Sequence, residues 1–174
     1  MLVMLSLLCI LSAVLVLITL AVIDFQTRLL PNIWVGFFAA LGVIFHTITM
    51  EAVLSWEAVL AGALGGFGLL YMTRAIANAY YKQDALGLGD VKLLGAAGIW
   101  LGFENVMIAM SVGAFAGLGH GLIYAAYLSQ KNKTPFSLRL LKIPAGPGFV
   151  FGILVSGSLL YAEYISRYAG DLLP

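Results

Sequence analysis

The chain alternates between long apolar runs and short polar segments. Six apolar runs stand out, at residues 2–23, 33–50, 54–73, 91–103, 106–128 and 147–165. A helix of about 17–25 residues crosses a hydrocarbon core of ~30 Å, and five of the runs are long enough to do so. Backbone groups in lipid must pair within their own segment, so the runs should be helices. The pattern predicts an all-α, polytopic membrane protein with six transmembrane helices in one domain, residues 1–174.

The fourth run, residues 91–103, is the short one. A helix over this run rises only ~20 Å, because each residue adds ~1.5 Å. Three interpretations follow: the run begins below the membrane surface, spans a thinned region, or follows backbone that dips inward. The residues just before it read GLGDVK and contain Asp90.

Composition identifies the bilayer as the solvent. Hydrophobic residues make up 62% of the chain and charged residues 10%, whereas a soluble domain is about half apolar and about a quarter charged. The net charge of +1 gives no basic face that would suggest nucleic acid as a partner. No Lys or Arg precedes Arg28, and the first run exceeds the ~7–15 apolar residues of a signal peptide, so we expect a retained helix.

The basic residues predict the orientation, because Lys and Arg in short loops are retained on the cytoplasmic side. If the first loop is cytoplasmic, eight of the nine basic residues lie on that side: Arg28, Arg74, Lys82, Lys92, Lys131, Lys133, Arg139 and Lys142. The opposite side then holds Arg167 with Glu51, Glu57, Glu104, Glu163 and Asp171. We therefore expect both termini on the outer side of the membrane.

Two carboxylates do not fit a solvated loop. Asp24 ends the first run in IDFQTRLLPN, and Asp90 begins the fourth in GLGDVK. The predicted directions of these helices place both residues at the same depth. Two simpler explanations exist: Asp24 could pair with Arg28 one turn later, and Asp90 could cap a helix. An ionisable residue at a span is costly enough, however, that a functional role is the default interpretation.

A pair of carboxyl groups supports a specific chemistry. Within ~3 Å of each other both cannot ionise cheaply, so the two groups share a proton. The ionised group can deprotonate a water, and the protonated group can polarise a peptide carbonyl. Gly87 and Gly89 lack a Cβ atom and would let an extended substrate backbone approach closely. The chemistry needs no metal or cofactor, and the single Cys9 excludes a CxxC zinc site.

GLGD fits the GxGD motif of membrane-embedded aspartic proteases, and within that class the chain resembles the type IV prepilin peptidases. The resemblance rests on IDFQTRLLPN, GLGDVKLLGAAGIWLG and KIPAGPGFVFG and covers about residues 15–160. It implies that Asp24 and Asp90 are the catalytic pair. It also implies cleavage of the basic leader of type IV prepilins or pseudopilins at the cytoplasmic face of a bacterial inner membrane, just before the apolar helix of the substrate.

The chain departs from the larger members of that family in one respect. Those members carry two CxxC pairs, linked to zinc and to N-methylation of the new amino terminus. Cys9 is the only cysteine here, so a short form is expected and N-methyltransferase activity is in doubt.

Six further residues are candidates for substrate binding: Gly87, Gly89, Lys92, Pro144, Gly146 and Pro147. Lys92 could contact a substrate carbonyl or hold an aspartate charged, but it could equally be a lysine that sets topology. The prolines bracket helix starts, where a missing N–H is no loss. The segment IPAGPG could also wall a catalytic cleft, since it lies on the same side as both aspartates.

Other features have structural interpretations. His46 and Trp100 are expected at the membrane interface, and His120 is expected to form a hydrogen bond between helices. Gly113, Gly117 and Gly121 recur every four residues and predict close helix packing, as does GALGGFG at 62–68.

Two other functions use the same features. A proton-coupled transporter or channel could employ the aspartate pair, but such proteins place their acids near the midplane. A non-catalytic scaffold subunit of a secretion or pilus assembly would need no acid pair.

Overall fold

The computed structural model describes residues 2–84, 86–132 and 144–169. Within these ranges the chain is helical without strands, and its helices are α1 (Leu2–Thr27), α2 (Asn32–Thr49), α3 (Trp56–Tyr81), α4 (Leu88–Asn132) and α5 (Gly146–Ala169). All five are long and apolar enough to cross a membrane. The predicted all-α class is confirmed. Four charged residues used to predict the orientation lie outside the described ranges: Lys133, Arg139, Lys142 and Asp171.

Two helices continue beyond the apolar runs that predicted them. The first run ends at residue 23, but α1 continues through Asp24 to Thr27, and α3 extends from residue 73 to Tyr81. Polar side chains at the end of a helix can reach water while the backbone remains hydrogen-bonded, so hydropathy underestimates helix length. The start of α3 is capped by Ser55, a residue type that favours this position, and the Ser55 hydroxyl accepts a hydrogen bond from the Ala58 N–H at 3.3 Å.

The predicted fourth and fifth runs form one element, α4, which bends at a single residue. Gly102 has φ 69° and ψ 178°, a backbone conformation outside the helical region that glycine adopts at little cost. A Cβ atom on Gly66 of α3 would lie 2.5 Å from the Leu94 oxygen and 3.1 Å from Val106 Cγ2. Residues on both sides of the bend thus contact the same point of α3, so the two halves of α4 lie side by side. Six membrane crossings, which require each half to cross separately, remain a prediction.

The first half of α4 is the centre of the fold. Residues 90–102 are buried at every position except Lys92 and Ile99. Helices α2, α3 and α5 all contact α4, and α1 contacts α2 and α5. Non-helical backbone is tolerated at membrane depth where protein surrounds it, which accounts for the position of Gly102. A segment enclosed by protein also need not match the thickness of the bilayer. This explains why the fourth apolar run, residues 91–103, can be shorter than a membrane-spanning helix.

Side chains of α2, α5 and α4 itself bind the backbone carbonyl groups next to the bend. A helix end leaves carbonyl groups without partners inside the helix. The His46 ring pairs Nε2 with the Ile99 oxygen at 2.9 Å, the Tyr161 hydroxyl donates to the Trp100 oxygen, and Asn105 Nδ2 donates to the Leu101 oxygen at 3.2 Å. We call this region, defined by His46, Gly102, Asn105 and Tyr161, the bend end.

Two predictions about this region are wrong. His46 and Trp100 were expected at the membrane interface, but both are buried, with 0% and 4% of their surface exposed. Trp100 Nε1 donates to the Phe38 oxygen at 2.9 Å. Amphipathic residues occur both at interfaces and in buried positions with a hydrogen-bond partner, and hydropathy alone cannot separate these environments.

The predicted close packing at glycines is present in two places. Gly62 of α3 lies directly against the backbone oxygen of Gly98. A Cβ atom on Gly113 of α4 would lie 2.8 Å from Phe149 Cα of α5. Both contacts bring helix backbones closer than any larger residue would allow, as small residues do between membrane helices.

Candidate active site

Asp24 lies in the last turn of α1. Arg28 ends this helix with φ 57°, and its N–H donates to the Asp24 backbone oxygen at 2.8 Å. The Asp24 side chain is only 5% exposed, and its Oδ2 atom accepts a hydrogen bond from the Gly146 N–H at 3.0 Å. Among the described residues the ion pairs are Arg74–Asp84 and Arg167–Glu163. The alternative in which Asp24 pairs with the Arg28 side chain is therefore wrong.

Gly146 is the first residue of α5, so its N–H belongs to a helix N-terminus. The partial positive charge there favours a carboxylate partner. A Cβ atom on Gly146 would lie 2.5 Å from Asp24 Oδ2, so a larger residue would displace the carboxyl group. Gly146 was predicted to contact substrate, but in the structure its contact is with Asp24.

Asp90 is the third residue of α4, which begins at Leu88. It therefore lies inside the first turn and is not the N-cap. Its side chain is 7% exposed, and Oδ1 is buried without a hydrogen-bond partner in the described part of the chain. A buried acceptor without a partner costs stability, and such a group in a native structure calls for an explanation such as a catalytic role or a bound water.

The fold brings the two carboxyl groups together from distant parts of the sequence. Gly146 of α5 binds Asp24, and Gly89, next to Asp90, lies against Leu30 just after α1, so the two carboxyl groups are within range to interact electrostatically. The end of α1, the start of α4 and the start of α5 thus converge on one region, which we call the aspartate end and define by Asp24, Asp90 and Gly146.

The two glycines of GLGD have different surroundings. A Cβ atom on Gly87 would lie 2.9 Å from Asp90 Oδ2, and one on Gly89 would lie 2.8 Å from Leu30 Cβ. Gly87 therefore leaves room for the carboxyl group, and Gly89 lets the start of α4 pack against the loop after α1. Gly87 is exposed, so it can also be reached from outside, whereas a substrate contact at either glycine remains a prediction.

Lys92 is not brought to the aspartates. Successive helical residues turn by about 100°, so Lys92 points away from the side of α4 that carries Asp90. Its Nζ atom donates to Asn32 Oδ1 at 3.0 Å. Both residues line a cavity of about 470 Å³ between α2, α3 and α4. A direct role of Lys92 in holding an aspartate charged does not fit this placement.

Pro144 and Pro147 lie beside the site without contributing to the carboxyl pair. They flank Gly146 and line a cavity of about 190 Å³ together with Phe25 and His120. The His120 ring centroid lies 6.0 Å from that of Phe25 and 6.4 Å from that of Tyr124. Among the described residues His120 makes ring contacts and no hydrogen bond, so the predicted interhelical hydrogen bond is absent from this part of the chain.

The sequence analysis did not predict a set of contacts, here called the clamp, in which Arg74 and Asn78 of α3 bind Asp84 in the loop that leads to GLGD. Asp84 is exposed, and its Oδ1 atom accepts a hydrogen bond from Arg74 Nη2 at 2.7 Å and one from Asn78 Nδ2 at 3.1 Å. These contacts tie the loop back onto the end of α3. Residues ten positions apart across a helix end follow no regular spacing, so this contact has no signal in the sequence.

The fold and the site define a class: a helical membrane protein with a buried pair of aspartates at one end of its helices. A sequence model of the type IV leader peptidase family matches residues 9–122 of the chain. This range is more than half of the chain, and the protein therefore belongs to the type IV leader peptidase family. No solved structure matches the chain significantly.

Individual relatives agree with the family assignment. The chain is 28% identical over 148 residues to the prepilin leader peptidase/N-methyltransferase of Escherichia coli strain K12, covering 84% of this chain and 61% of that protein. It is 32% identical over 145 residues to a type 4 prepilin-like proteins leader peptide-processing enzyme of Escherichia coli O78:H11, covering 78% and 46%. Leader peptidase HopD of Salmonella typhimurium is 30% identical over 139 residues, covering 76% and 84%.

The coverage differs among these relatives. The chain spans about half the length of several curated relatives, such as 49% of the prepilin leader peptidase/N-methyltransferase of Pectobacterium carotovorum. It spans most of HopD. The matched part contains both aspartates and GLGD, because residues 9–122 include positions 24 and 87–90.

Proposed function

We propose that this chain is an aspartic endopeptidase that removes the leader peptide from type IV prepilins or pseudopilins, with Asp24 and Asp90 as its catalytic pair. One observation carries the proposal: two buried carboxyl groups from distant segments lie within electrostatic reach of each other. The relatives described above are named for leader peptide processing, which supports the same substrate class.

The reaction uses the two carboxyl groups as an acid and a base. One of them, ionised, takes a proton from a water that attacks the scissile carbonyl carbon; the other, protonated, donates a hydrogen bond to the carbonyl oxygen. Collapse of the tetrahedral intermediate breaks the C–N bond, and the leaving amine receives a proton from the pair. The hydrogen bond from Gly146 fixes Asp24, whereas Asp90 Oδ1 has no partner among the described residues and is free to bind water or substrate.

The location of the pair favours a protease at the membrane surface over a transporter. Asp24 lies in the last turn of α1 and Asp90 in the first turn of α4, whereas transporters bind their coupling ions near the midplane. Together with the basic residues on the same side, this supports a site at the cytoplasmic face of a bacterial inner membrane. A basic leader would then approach from the cytoplasm while the apolar helix of the substrate stays in the bilayer.

Cleavage of a purified prepilin tests the proposal. The wild type and the variants Asp24→Asn and Asp90→Asn are incubated with the substrate in detergent, and loss of the leader is followed on a gel. We expect cleavage by the wild type and none by either variant, with all three proteins accumulating equally in membranes. Glu57→Gln, which removes an exposed acid in the first turn of α3, is the matched control and should cleave normally. Full cleavage by Asp90→Asn would refute the assignment.

Treatment with a chelator tests the metal-free mechanism. The described residues contain no group of three His, Cys, Asp or Glu side chains that could hold a metal ion. We therefore expect EDTA to leave the cleavage rate unchanged. Inhibition that is reversed by an added divalent cation would require a metal in the mechanism.

A further inference from the structure

A groove runs along the first half of α4, between α2 and α3. It is the cavity of about 470 Å³ that Lys92 lines. Its floor contains Gly95 and Ala96 of α4, which are buried, and its rims contain Gly36 of α2 and Phe67 of α3, which are exposed. Because all three helices are long and apolar enough to cross a membrane, the groove opens towards lipid. We call it the α2–α3 groove.

One end of the α2–α3 groove carries a positive charge without a negative partner. Lys92 Nζ donates to the neutral side chain of Asn32 at 3.0 Å, and the ion pairs of the described residues all involve other side chains. Asn32 is the first residue of α2, and its N-cap residue, Pro31, offers no side-chain acceptor. The N–H groups of Asn32 and Ile33 therefore lack helical partners and add donors near Lys92. An anion fits this end of the groove.

The rest of the groove is apolar and leads into the membrane. Its lining towards the bend end includes Ala39, Ala63 and Ile99. Ile99 follows Lys92 along α4 at a distance of ~10 Å, since each helical residue adds ~1.5 Å. One leaflet contributes about half of the ~30 Å hydrocarbon core, so the groove follows most of one leaflet. A charged end at the surface and an apolar channel below it match the two parts of a phospholipid.

The size of the groove favours an acyl chain over a helix. A helix with its side chains is ~10 Å across, so a helical segment of ~10 Å length would fill roughly 800 Å³. The groove holds about 470 Å³, which is too small to enclose such a segment. An acyl chain is much thinner than a helix, and its contacts with an apolar lining leave no polar group unpaired.

We infer that the α2–α3 groove binds an anionic phospholipid from the leaflet at the aspartate end. The lipid phosphate lies at Lys92 and Asn32, and one acyl chain lies between α2 and α3. Basic pockets between membrane helices bind anionic head groups in this way. The inference depends on the membrane setting of the fold and not on the proposed peptidase function.

Two substitutions test the charged end of the groove. Lys92→Gln removes the charge and keeps a group that can donate to Asn32. Asn32→Asp keeps Lys92 and places a carboxylate beside it, which pairs with the ammonium group and repels a phosphate. Lys82→Gln is the matched control, because Lys82 is exposed at the end of α3 and does not line the groove.

Two glycines test the apolar part of the groove. A Cβ atom on Gly36 or on Gly68 would meet no atom within 4 Å, so either position accepts a larger residue without a clash at Cβ. Gly36 lines the groove and Gly68 does not. Gly36→Leu therefore obstructs the path of the acyl chain, and Gly68→Leu makes the same chemical change outside it.

Native mass spectrometry of the delipidated protein measures the apparent Kd for phosphatidylglycerol and for phosphatidylcholine with identical acyl chains. We expect the wild type, Lys82→Gln and Gly68→Leu to bind phosphatidylglycerol more tightly than phosphatidylcholine. Lys92→Gln and Asn32→Asp should each weaken phosphatidylglycerol binding about fivefold, the factor that corresponds to the ~1 kcal/mol contributed by one basic residue near anionic lipid. Gly36→Leu should weaken the binding of both lipids.

Several results would overturn the inference. One is a wild type without a preference for phosphatidylglycerol, and another is the wild-type preference in both Lys92→Gln and Asn32→Asp. Unchanged binding of both lipids by Gly36→Leu would place the acyl chain elsewhere. Displacement of the lipid by an equal concentration of inorganic phosphate would indicate a phosphate site, and displacement by a prepilin would assign the groove to the substrate. Leader cleavage is measured separately, so the lipid site and the peptidase function can fail independently.

Discussion

The two ends of the helical bundle both bury polar groups, but they do so differently. At the bend end, side chains of His46, Asn105 and Tyr161 pair with backbone carbonyl groups that the interrupted helix leaves open. At the aspartate end, two buried carboxyl groups lie near each other, and the described donor is the N–H of Gly146, which binds Asp24. Hydrogen-bond donors and acceptors are therefore matched at the bend end. At the aspartate end, where we propose the active site, acceptors outnumber donors.

This difference distinguishes buried polar groups that stabilise the fold from buried polar groups that are available for chemistry. A buried polar group that is fully paired rigidifies the fold, whereas one that lacks a partner destabilises it unless a water or ligand binds. His46 Nδ1 is the exception at the bend end, since it is buried without a partner among the described residues. The other ring nitrogen of His46 nevertheless contacts the Ile99 oxygen, so the ring as a whole belongs to the structural group.

The largest effect is expected for Asp90→Asn, which should abolish most of the cleavage activity while the protein stays folded. Asp90→Asn should lower the cleavage rate by about 10²–10⁴-fold, the range typical of losing a catalytic acid or base. Its melting temperature should stay the same or rise, because the substitution replaces an ionisable carboxyl group, buried near the second buried carboxyl group of Asp24, with a neutral amide of the same shape. Thermal unfolding in detergent together with the cleavage assay measures both. A fall of the melting temperature in parallel with activity would make Asp90 a structural residue.

The second effect concerns the placement of Asp24. Gly146→Ala puts a methyl carbon 2.5 Å from Asp24 Oδ2, too close for the carboxyl group to stay in place, and displacing a catalytic group by about 1 Å can lower the rate by about 10²-fold. We expect a loss of this size in kcat. Gly68→Ala is the control, because a Cβ atom there meets nothing within 4 Å, and its rate should equal that of the wild type. Equal rates for both variants would show that Asp24 need not be held by α5.

The sequence predicted the helical class and the candidate aspartates, because hydropathy and an acid at the end of an apolar run are local signals. It did not predict the one-residue bend at Gly102, since a glycine within an apolar run looks the same whether or not the helix continues. It also misplaced His46 and Trp100, whose burial depends on residues far away in the chain. The site was predictable as two acids, whereas the Gly146 contact depends on how distant helices pack.

A smaller effect is expected at the bend end, where a substitution should lower stability and leave activity nearly unchanged. Tyr161→Phe leaves the Trp100 oxygen without its hydroxyl donor, which should reduce the free energy of unfolding by about 1–3 kcal/mol. The kcat of the folded protein should remain within about twofold of the wild type, because a lost structural hydrogen bond is expected to act on stability. Tyr127→Phe, which removes an exposed hydroxyl, should change neither quantity. A large loss of kcat in Tyr161→Phe would mean that the bend end shapes the aspartate end.

The smallest effect compares two ion pairs, each of which includes an exposed carboxylate. Arg74–Asp84 ties down the loop before GLGD, with nitrogen and oxygen 2.7 Å apart, and Arg167–Glu163 lies within α5 at 3.0 Å. Exposed pairs contribute about 0–1 kcal/mol, so neither Asp84→Asn nor Glu163→Gln should alter the melting temperature appreciably. Only Asp84→Asn should slow cleavage, by about two- to fivefold, the factor that corresponds to such an energy, because its loop leads directly to Asp90. If Glu163→Gln slowed cleavage as much, or if Asp84→Asn had no effect, the clamp on this loop would have no share in positioning the site.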